Sequence, residues 1–232
     1  MEHRSVRGRL SYLHDRQGET GREWFSVTVQ PDRSRTLRAV CEMDDERLLR
    51  DVTYSVDGQW RPRDAYVRLV RGGDFQGAGW FRFDAAGADC EAFTATDGRI
   101  SQRLDIPGGA QLFAPHPVSC DGWQAAAFDF ARGPGLQRLT RCTNSSSRPD
   151  GASGPMLGRV FKDLEYVGDE QLTVAAGSFA ARHMRIHPRQ GAMASWPPLE
   201  FWVAGEDFLL VRMRWELLET TYDLVELEGE PR

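Results

Sequence analysis

The chain has 232 residues, of which 41% are hydrophobic and 10% aromatic, and its formal net charge is −5. Its 29 basic residues comprise one lysine, Lys162, and 28 arginines that are spread along the chain among acidic residues. We expect no nucleic-acid partner, because phosphate binding relies on clustered positive charge. No apolar run reaches the ~20 residues of a membrane span, and the N-terminus lacks the apolar core of a signal peptide, so a cytoplasmic protein without membrane contact is expected.

The four cysteines are widely spaced and form neither a C-x-x-C pair nor a cluster with zinc-ligand spacing. In a reducing compartment they are expected to be free thiols. The sequence predicts no metal and no other cofactor.

Apolar residues recur with a period of two along the first half of the chain, which is typical of strands with one buried face. Asp-Gly and Gly-Gly pairs between these runs are hairpin-turn signals. Strands that recur about every 10–14 residues indicate an antiparallel meander, sandwich or barrel. The predicted strands of this half are residues 36–43, 51–56, 65–70, 80–83, 90–96 and 99–106.

The middle of the chain has a different composition. Residues 112–123 hold two prolines and a glycine, cannot form a central strand, and are predicted to be a long crossing loop. Periodicity leaves residues 124–131 open between a strand and a helical turn, and residues 136–142 are predicted to form a strand. Residues 143–155 are rich in Ser, Gly and Pro and are predicted to be a loop, either a linker or a mobile flap over a pocket.

Strands resume after this loop, and no segment shows the i, i+3, i+4 stripe of a long helix. We therefore predict an all-β fold with little helix, in which an antiparallel meander closes into a lipocalin-like barrel or spiral β-roll that protects its edges. The chain is expected to be one domain over residues 1–232, with 1–142 and 156–232 as two possible similar halves. The later predicted strands are residues 160–167, 172–175, 178–187, 199–203, 208–217 and 221–227.

The last of these strands, residues 221–227, is expected at an exposed edge, where it can pair in a homodimer. A barrel of this size has an interior too wide for side chains to fill, and the remaining space suits a small hydrophobic ligand.

Four short motifs lie in the C-terminal quarter of the chain. They are V-x-A-G-x-F at residues 174–179, W-V-A at 202–204, L-L-V-R at 209–212 and Y-x-L at 222–224. This pattern resembles a bacterial domain family of unknown function whose members form a spiral β-roll, distantly similar to lipocalin-like barrels. The resemblance implies a fold and carries no catalytic residues to this chain.

The loop predicted at residues 112–123 holds the best local group of chemically active side chains. Prolines on both sides fix the backbone around His116, whose ordinary pKa lies near neutrality, so that it is suited to proton transfer. Asp121 is expected to orient His116 or to act as the base, and Trp123 to stack on a flat ligand. The alternative is a structural loop, in which Asp121 belongs to a turn, Trp123 fills the core and His116 bonds a backbone carbonyl.

A second candidate group lies on the strand predicted at residues 178–187. His183, Arg185 and His187 share one face by alternation, which is either exposed to solvent or part of a polar pocket. In a pocket, His183 would be an alternative acid and Arg185 a substrate-binding group. The two histidines are about 13 Å apart along a strand and cannot bind one metal ion.

Aromatic residues on several strands form the third candidate group. Core packing explains most of them, but rings that point inward would line a cavity and bind substrate. The candidates, besides Trp123, are Tyr54, Tyr66, Trp80 and Trp202.

These features support two main hypotheses. The first is a cofactor-independent acid–base enzyme, an isomerase, hydratase, dehydratase or lyase, that acts on a small hydrophobic metabolite in the barrel with His116, Asp121 and His183 as catalytic candidates. The second is a carrier or sensor that binds an apolar ligand without chemistry. A purely structural, partner-binding β protein is a third option, since one fold hosts many functions.

Overall fold

The computed structural model describes residues 3–189 and 191–229, and within them fifteen strands form one continuous sheet. The strands are β1 (Arg4–His14), β2 (Gly18–Val29), β3 (Arg35–Met43), β4 (Leu48–Val56), β5 (Pro62–Arg71), β6 (Asp74–Phe83), β7 (Gly87–Thr94), β8 (Gly98–Asp105), β9 (Leu112–Ala114), β10 (Gly135–Asn144), β11 (Gly158–Val174), β12 (Gly177–Pro188), β13 (Leu199–Ala204), β14 (Leu209–Trp215) and β15 (Thr220–Glu228). The helices are short: α1 (Val118–Asp121) and the 3₁₀ helices Gly122–Ala127, Phe130–Arg132, Gly191–Ser195 and Glu216–Leu218.

Two antiparallel meanders make up the sheet. Strands β1 to β8 pair in chain order, strands β10 to β15 do the same, and β1 pairs with β15 to join the two runs. The ends of the sheet are therefore β8 and β9, of which β9 pairs parallel to β10. The prediction that residues 221–227 form an exposed edge is wrong, because β15 has β14 on one side and the N-terminal strand on the other.

Alternation along the strands places one set of side chains in a common core. In β3, for example, Leu37, Ala39 and Cys41 are buried, while Arg38 and Val40 between them are exposed. The predicted all-β, barrel-like fold with little helix is confirmed, although the sheet curls without pairing its two ends.

Side chains bridge the two ends of the curled sheet. Phe113 of β9 packs against Phe81 and Phe83 of β6, with ring centroids 4.9 and 5.0 Å apart. Gln102 of the end strand β8 accepts a hydrogen bond from the Leu157 amide at 2.7 Å and donates one to the Leu157 carbonyl at 3.4 Å. A side-chain amide thus takes the place of a missing strand partner at this seam.

The structure differs from the predicted elements in three places. It adds β1 and β2, which precede the first predicted strand. The two strands predicted at residues 160–167 and 172–175 form one strand, β11, which ends at Val174 and has a bulge between Tyr166 and Gly168. Residues 112–123, predicted to be a loop, contain the short strand β9 and the helix α1. Residues 124–131, which the sequence left open between a strand and a helical turn, contain 3₁₀ turns.

All four cysteines are buried free thiols. None of the helices in the described part of the chain has the length and apolar character needed to cross a membrane.

Candidate functional site

The segment of residues 115–128, here called the interior segment, enters the curl of the sheet. Its helix α1 packs against β2 and β14. Glu23 of β2 anchors the start of this helix, because its carboxylate accepts hydrogen bonds from the amides of Val118 at 2.7 Å and Ser119 at 3.0 Å. A carboxylate at a helix start satisfies amides that have no partner within the helix.

Three further groups donate to the same buried carboxylate. They are the Ser119 hydroxyl, the Tyr12 hydroxyl at 2.9 Å and the Cys41 thiol at 3.5 Å. Glu23 is fully buried, and all of its partners are neutral donors. Hydrogen bonds therefore compensate for burying this charge, and they fix the interior segment to the sheet.

Trp123 of the interior segment lies in the core. Its ring centroid is 5.6 Å from that of Tyr54 and 5.5 Å from that of Trp60. Tyr54 is itself buried, and burial raises the pKa of its hydroxyl. Tyr54 and Trp123, both predicted to bind substrate, thus pack against other rings in the interior.

A cavity of about 140 Å³, here called the Asp121 pocket, lies beside the interior segment. Its polar side is formed by His116, Asp121, Gln124 and Lys162. Its apolar side is formed by Ile186, Trp196, Leu199 and Trp215.

His116 and Asp121 also line a second recess of about 70 Å³. The side chains of Arg50, Tyr12 and Tyr222 contribute to its wall. The structure thus brings together His116 and Asp121, the two residues paired by the sequence hypothesis, between two adjoining cavities.

A chain of two hydrogen bonds runs across the polar side of the Asp121 pocket. Lys162 Nζ donates to Gln124 Oε1 at 2.7 Å, and Gln124 Nε2 donates to Asp121 Oδ1 at 2.5 Å. Burial raises the pKa of Asp121 to about 7, against the opposing effects of Lys162 and Gln124. Asp121 therefore exchanges its proton near neutral pH.

His116 has the opposite behaviour. Burial lowers the pKa of its imidazole to about 3, and the positive charges of Arg50 and Lys162 act in the same direction. The buried Nε2 atom has no hydrogen-bond partner among the described residues. The sequence hypothesis assigned proton transfer first to His116, whereas this geometry leaves His116 neutral and makes Asp121 the titrating group.

Residues 145–157, here called the cover loop, lie over this site. Ser146, Ser147 and Pro149 line the Asp121 pocket. Arg50 Nη2 donates to the Asp150 carbonyl at 2.8 Å, and a Cβ atom added to Gly151 would lie 2.6 Å from the Cβ of His116. The sequence left this loop open between a linker and a flap over a pocket. Its position beside His116 and the Asp121 pocket matches the second interpretation.

The second predicted group lies elsewhere, on the outer face of the sheet. His183 stacks on Trp202 with ring centroids 4.3 Å apart, and Arg185 pairs with Glu200 at 2.6 Å. His187 bonds Glu165 at 2.7 Å. Neither His183 nor Arg185 nor Trp202 lines the Asp121 pocket.

Tyr66 and Trp80 are also on the outer face, as cross-strand neighbours with ring centroids 6.0 Å apart. Trp80 is 70% exposed. The inward orientation that would place these two rings in a cavity is therefore not adopted. Tyr66 instead lines an open outer groove of about 740 Å³ together with Trp24.

Sequence reasoning missed the buried polar residues around the interior segment. Glu23 and Arg50 occupy inward positions of their strands. A charged residue at such a position in an alternating sequence indicates a buried polar site and could have identified both residues. Lys162 is marked by being the single lysine of the chain. Gln124 carries no comparable signal.

No group of three or more His, Cys, Asp or Glu side chains that can hold a metal ion is present in residues 3–189 and 191–229. The Asp121 pocket offers hydrogen bonds, one titrating carboxyl and an apolar wall.

Comparison with known proteins gives a fold and no function. No protein-family model matches the chain, and no curated protein matches it. The chain is similar to a crystal structure of a β-barrel-like protein from Brucella abortus, of the Domain of Unknown Function DUF1849. The TM-score is 0.64 and the sequence identity is 13%. The match covers 98% of both chains, so the barrel-like fold extends well beyond the C-terminal quarter in which the sequence motifs lie.

Proposed function

We propose that the protein binds a small amphipathic molecule in the Asp121 pocket and acts on it by acid–base chemistry. The observation that carries this proposal is that Asp121 and His116 line the same two cavities, where the His116 Nε2 atom has no hydrogen-bond partner among the described residues. Burial raises the pKa of the Asp121 carboxyl to about 7. Perturbed carboxyl groups in concave sites are typical of catalytic acids and bases.

The dimensions of the pocket suit a ligand about the size of a substituted benzene ring. Its volume of about 140 Å³ is close to the ~150 Å³ of an apolar protein cavity that accepts benzene. The ligand's apolar body would lie against Ile186 and Trp215, and its polar end against Asp121 and His116.

The chemistry follows from the protonation states. Near neutral pH Asp121 is available both as an acid and as a base, and such a group supports isomerisation, hydration, dehydration or elimination without a cofactor. His116, held neutral, would orient a substrate hydroxyl or carbonyl through Nε2. Gln124 would hold the Asp121 carboxyl in place.

A carrier or sensor without chemistry is the second candidate. The burial of His116 near Arg50 and Lys162 favours it: this environment lowers the pKa of His116 to about 3 and keeps the residue from alternating with Asp121 as a second proton carrier. The same pocket then serves for binding alone.

Native mass spectrometry of the purified protein, followed by extraction of any bound compound, tests the proposal. Ser147→Trp places a large side chain at an exposed residue that lines the pocket and should abolish binding of the extracted compound. Ser101→Trp makes the same change at an exposed position on β8 and should leave binding unchanged. Equal binding by both variants would refute the pocket.

Asp121→Asn then separates the two candidates. The enzyme should convert the compound in its wild-type form, while the variant binds it and leaves it unchanged. A wild-type protein that binds the compound and never alters it would leave the carrier as the function.

A further inference from the structure

Two buried cations lie beside the Asp121 pocket and, among the described residues, donate to neutral oxygens. Lys162 is 8% exposed and Arg50 is 2% exposed. Lys162 donates to the side-chain amide of Gln124 at 2.7 Å. Arg50 donates to the carbonyls of His116 at 3.2 Å and Asp150 at 2.8 Å. Within residues 3–189 and 191–229, neither cation forms an ion pair with a carboxylate.

The nearby acids are engaged in other ways. The Glu23 carboxylate is occupied by its five neutral donors. Asp163, next to Lys162 in the chain, pairs with Arg189 at 2.5 Å and Arg138 at 3.5 Å. Asp121 is separated from Lys162 by the Gln124 amide.

Buried charges in proteins are normally paired, because transfer of an isolated ion out of water is costly. A lysine ammonium carries three donors, and Lys162 uses one of them on Gln124. Its side chain lines the pocket, so the remaining donors are available to a molecule in the cavity. The site therefore has an excess of positive charge and of donors at its polar end.

We propose that the ligand is a small carboxylic acid, and that Lys162 binds its carboxylate at the polar end of the Asp121 pocket. This inference rests on the proposed function and specifies its substrate class. A charge-assisted hydrogen bond from the ammonium would hold one carboxylate oxygen. The protonated Asp121 carboxyl would donate to the other oxygen, while the apolar body of the acid contacts Ile186, Leu199 and Trp215.

The charged groups around Asp121 come from several elements. Lys162 on β11 and Arg50 on β4 are the cations, and Glu23 on β2 is the anion. Burial raises the pKa of the Tyr222 hydroxyl on β15, and the charge of Asp121 acts in the same direction. With a ligand carboxylate beside Lys162, the two negative charges of the ligand and Glu23 would balance the two positive charges of Lys162 and Arg50.

Isothermal titration calorimetry with three matched probes tests this inference on the full chain. Benzoate, benzamide and benzylamine share a ring that suits the pocket volume, and they carry an anionic, a neutral and a cationic head. We expect the wild type to bind benzoate at least about tenfold more tightly than benzamide, and benzylamine most weakly. This comparison needs no substitution and so does not depend on a variant that folds.

Lys162→Gln should lower the affinity for benzoate at least about tenfold and change that for benzamide by less than about threefold. Arg99→Gln, which removes one exposed arginine of β8, is the control for net charge and should leave both affinities unchanged.

The possible failures are distinct. Benzamide binding as tightly as benzoate, or tighter binding of benzylamine, would overturn the carboxylate assignment while leaving a small-molecule pocket. An unchanged preference for benzoate in Lys162→Gln would overturn the role of Lys162. If none of the three probes binds at millimolar concentration, the pocket itself, and with it the proposed function, is rejected.

Discussion

Lys162 and Asp121 face the same cavity and are linked through a single amide rather than by direct contact. Gln124 accepts from the ammonium at 2.7 Å and donates to the carboxyl at 2.5 Å. An inserted amide weakens the attraction between the two charges, since Coulomb energy falls with distance. Burial therefore dominates the pKa of Asp121, which stays near neutrality, and the ammonium keeps donors for a ligand.

Asp121→Asn should change how stability depends on pH. Burial raises the pKa of Asp121 from 3.8 to about 7, so the unfolded chain releases this proton before the folded one. The wild type therefore loses stability as the pH rises from the unfolded-state pKa of 3.8 to the folded-state pKa of about 7. Relative to the wild type, the variant should gain about 2 kcal/mol in free energy of unfolding between about pH 5 and pH 8.

Urea unfolding at several pH values measures this difference. Asp105→Asn, at a side chain that is 89% exposed, is the control and should give a flat difference. A flat difference for Asp121→Asn as well would show that Asp121 is ionised throughout.

His116→Asn should change the pH dependence of the free energy of unfolding in the opposite direction. Burial lowers the pKa of His116 from 6.5 to about 3, so the unfolded chain takes up a proton that the folded protein excludes. Stability linked to His116 is present above about pH 6.5 and is lost as the pH falls. The variant should therefore gain about 2 kcal/mol relative to the wild type between about pH 7.5 and pH 5.

Asparagine is the suitable replacement, because His116 has a φ of 75° and asparagine tolerates this left-handed region better than most residues. His3→Asn, at an exposed position, serves as the control in the same urea series. If His116→Asn and His3→Asn showed the same change in free energy of unfolding at every pH, the interpretation of His116 as a buried neutral imidazole would be wrong.

Glu23→Gln should be strongly destabilising. The amide of the new side chain would turn a donor toward a group of five donors, among them Tyr12, Val118 and Ser119. We expect a loss of about 2–4 kcal/mol in the free energy of unfolding, the cost of leaving buried polar groups unsatisfied. Glu91→Gln, at an exposed acid of β7, should cost less than about 0.5 kcal/mol in the same denaturation experiment. Similar costs for the two variants would contradict the anchoring role of Glu23.

The strands were predictable because alternation is a local property. The inward set Leu37, Ala39 and Cys41 follows from a period of two in β3 alone. The pairing of β1 with β15 was not predictable, because it joins the two ends of the described chain and no local pattern encodes it. The prediction of an exposed edge at residues 221–227 was wrong because this pairing covers that strand.

The candidate site was predictable in part for the same reason. Prolines around His116 and the turn residues near Asp121 are local signals, and they identify the correct segment. Burial inside the curled sheet sets the direction of both pKa shifts, and the charges of Lys162 and Arg50, which lie on the distant strands β11 and β4, modify both. Local spacing does not carry that information.

Gln102→Ala should open the seam between the two ends of the sheet. It removes both hydrogen bonds to Leu157 and exposes that amide to exchange. We expect a loss of about 1–2 kcal/mol in stability and faster hydrogen exchange at the Leu157 amide, measured by NMR. Ser101→Ala, at the neighbouring exposed position, should leave this exchange rate unchanged. An unaltered Leu157 rate in Gln102→Ala would mean that other contacts close the seam.

Because Lys162 is the single lysine, labelling lysine side chains with nitrogen-15 gives one Nζ resonance to follow by NMR. Titration with benzoate should shift this resonance in proportion to the occupancy determined by calorimetry, and benzamide should shift it far less. A resonance that stays in place while benzoate saturates the protein would show that the acid binds away from the Asp121 pocket, and would contradict the assignment of the pocket as the functional site.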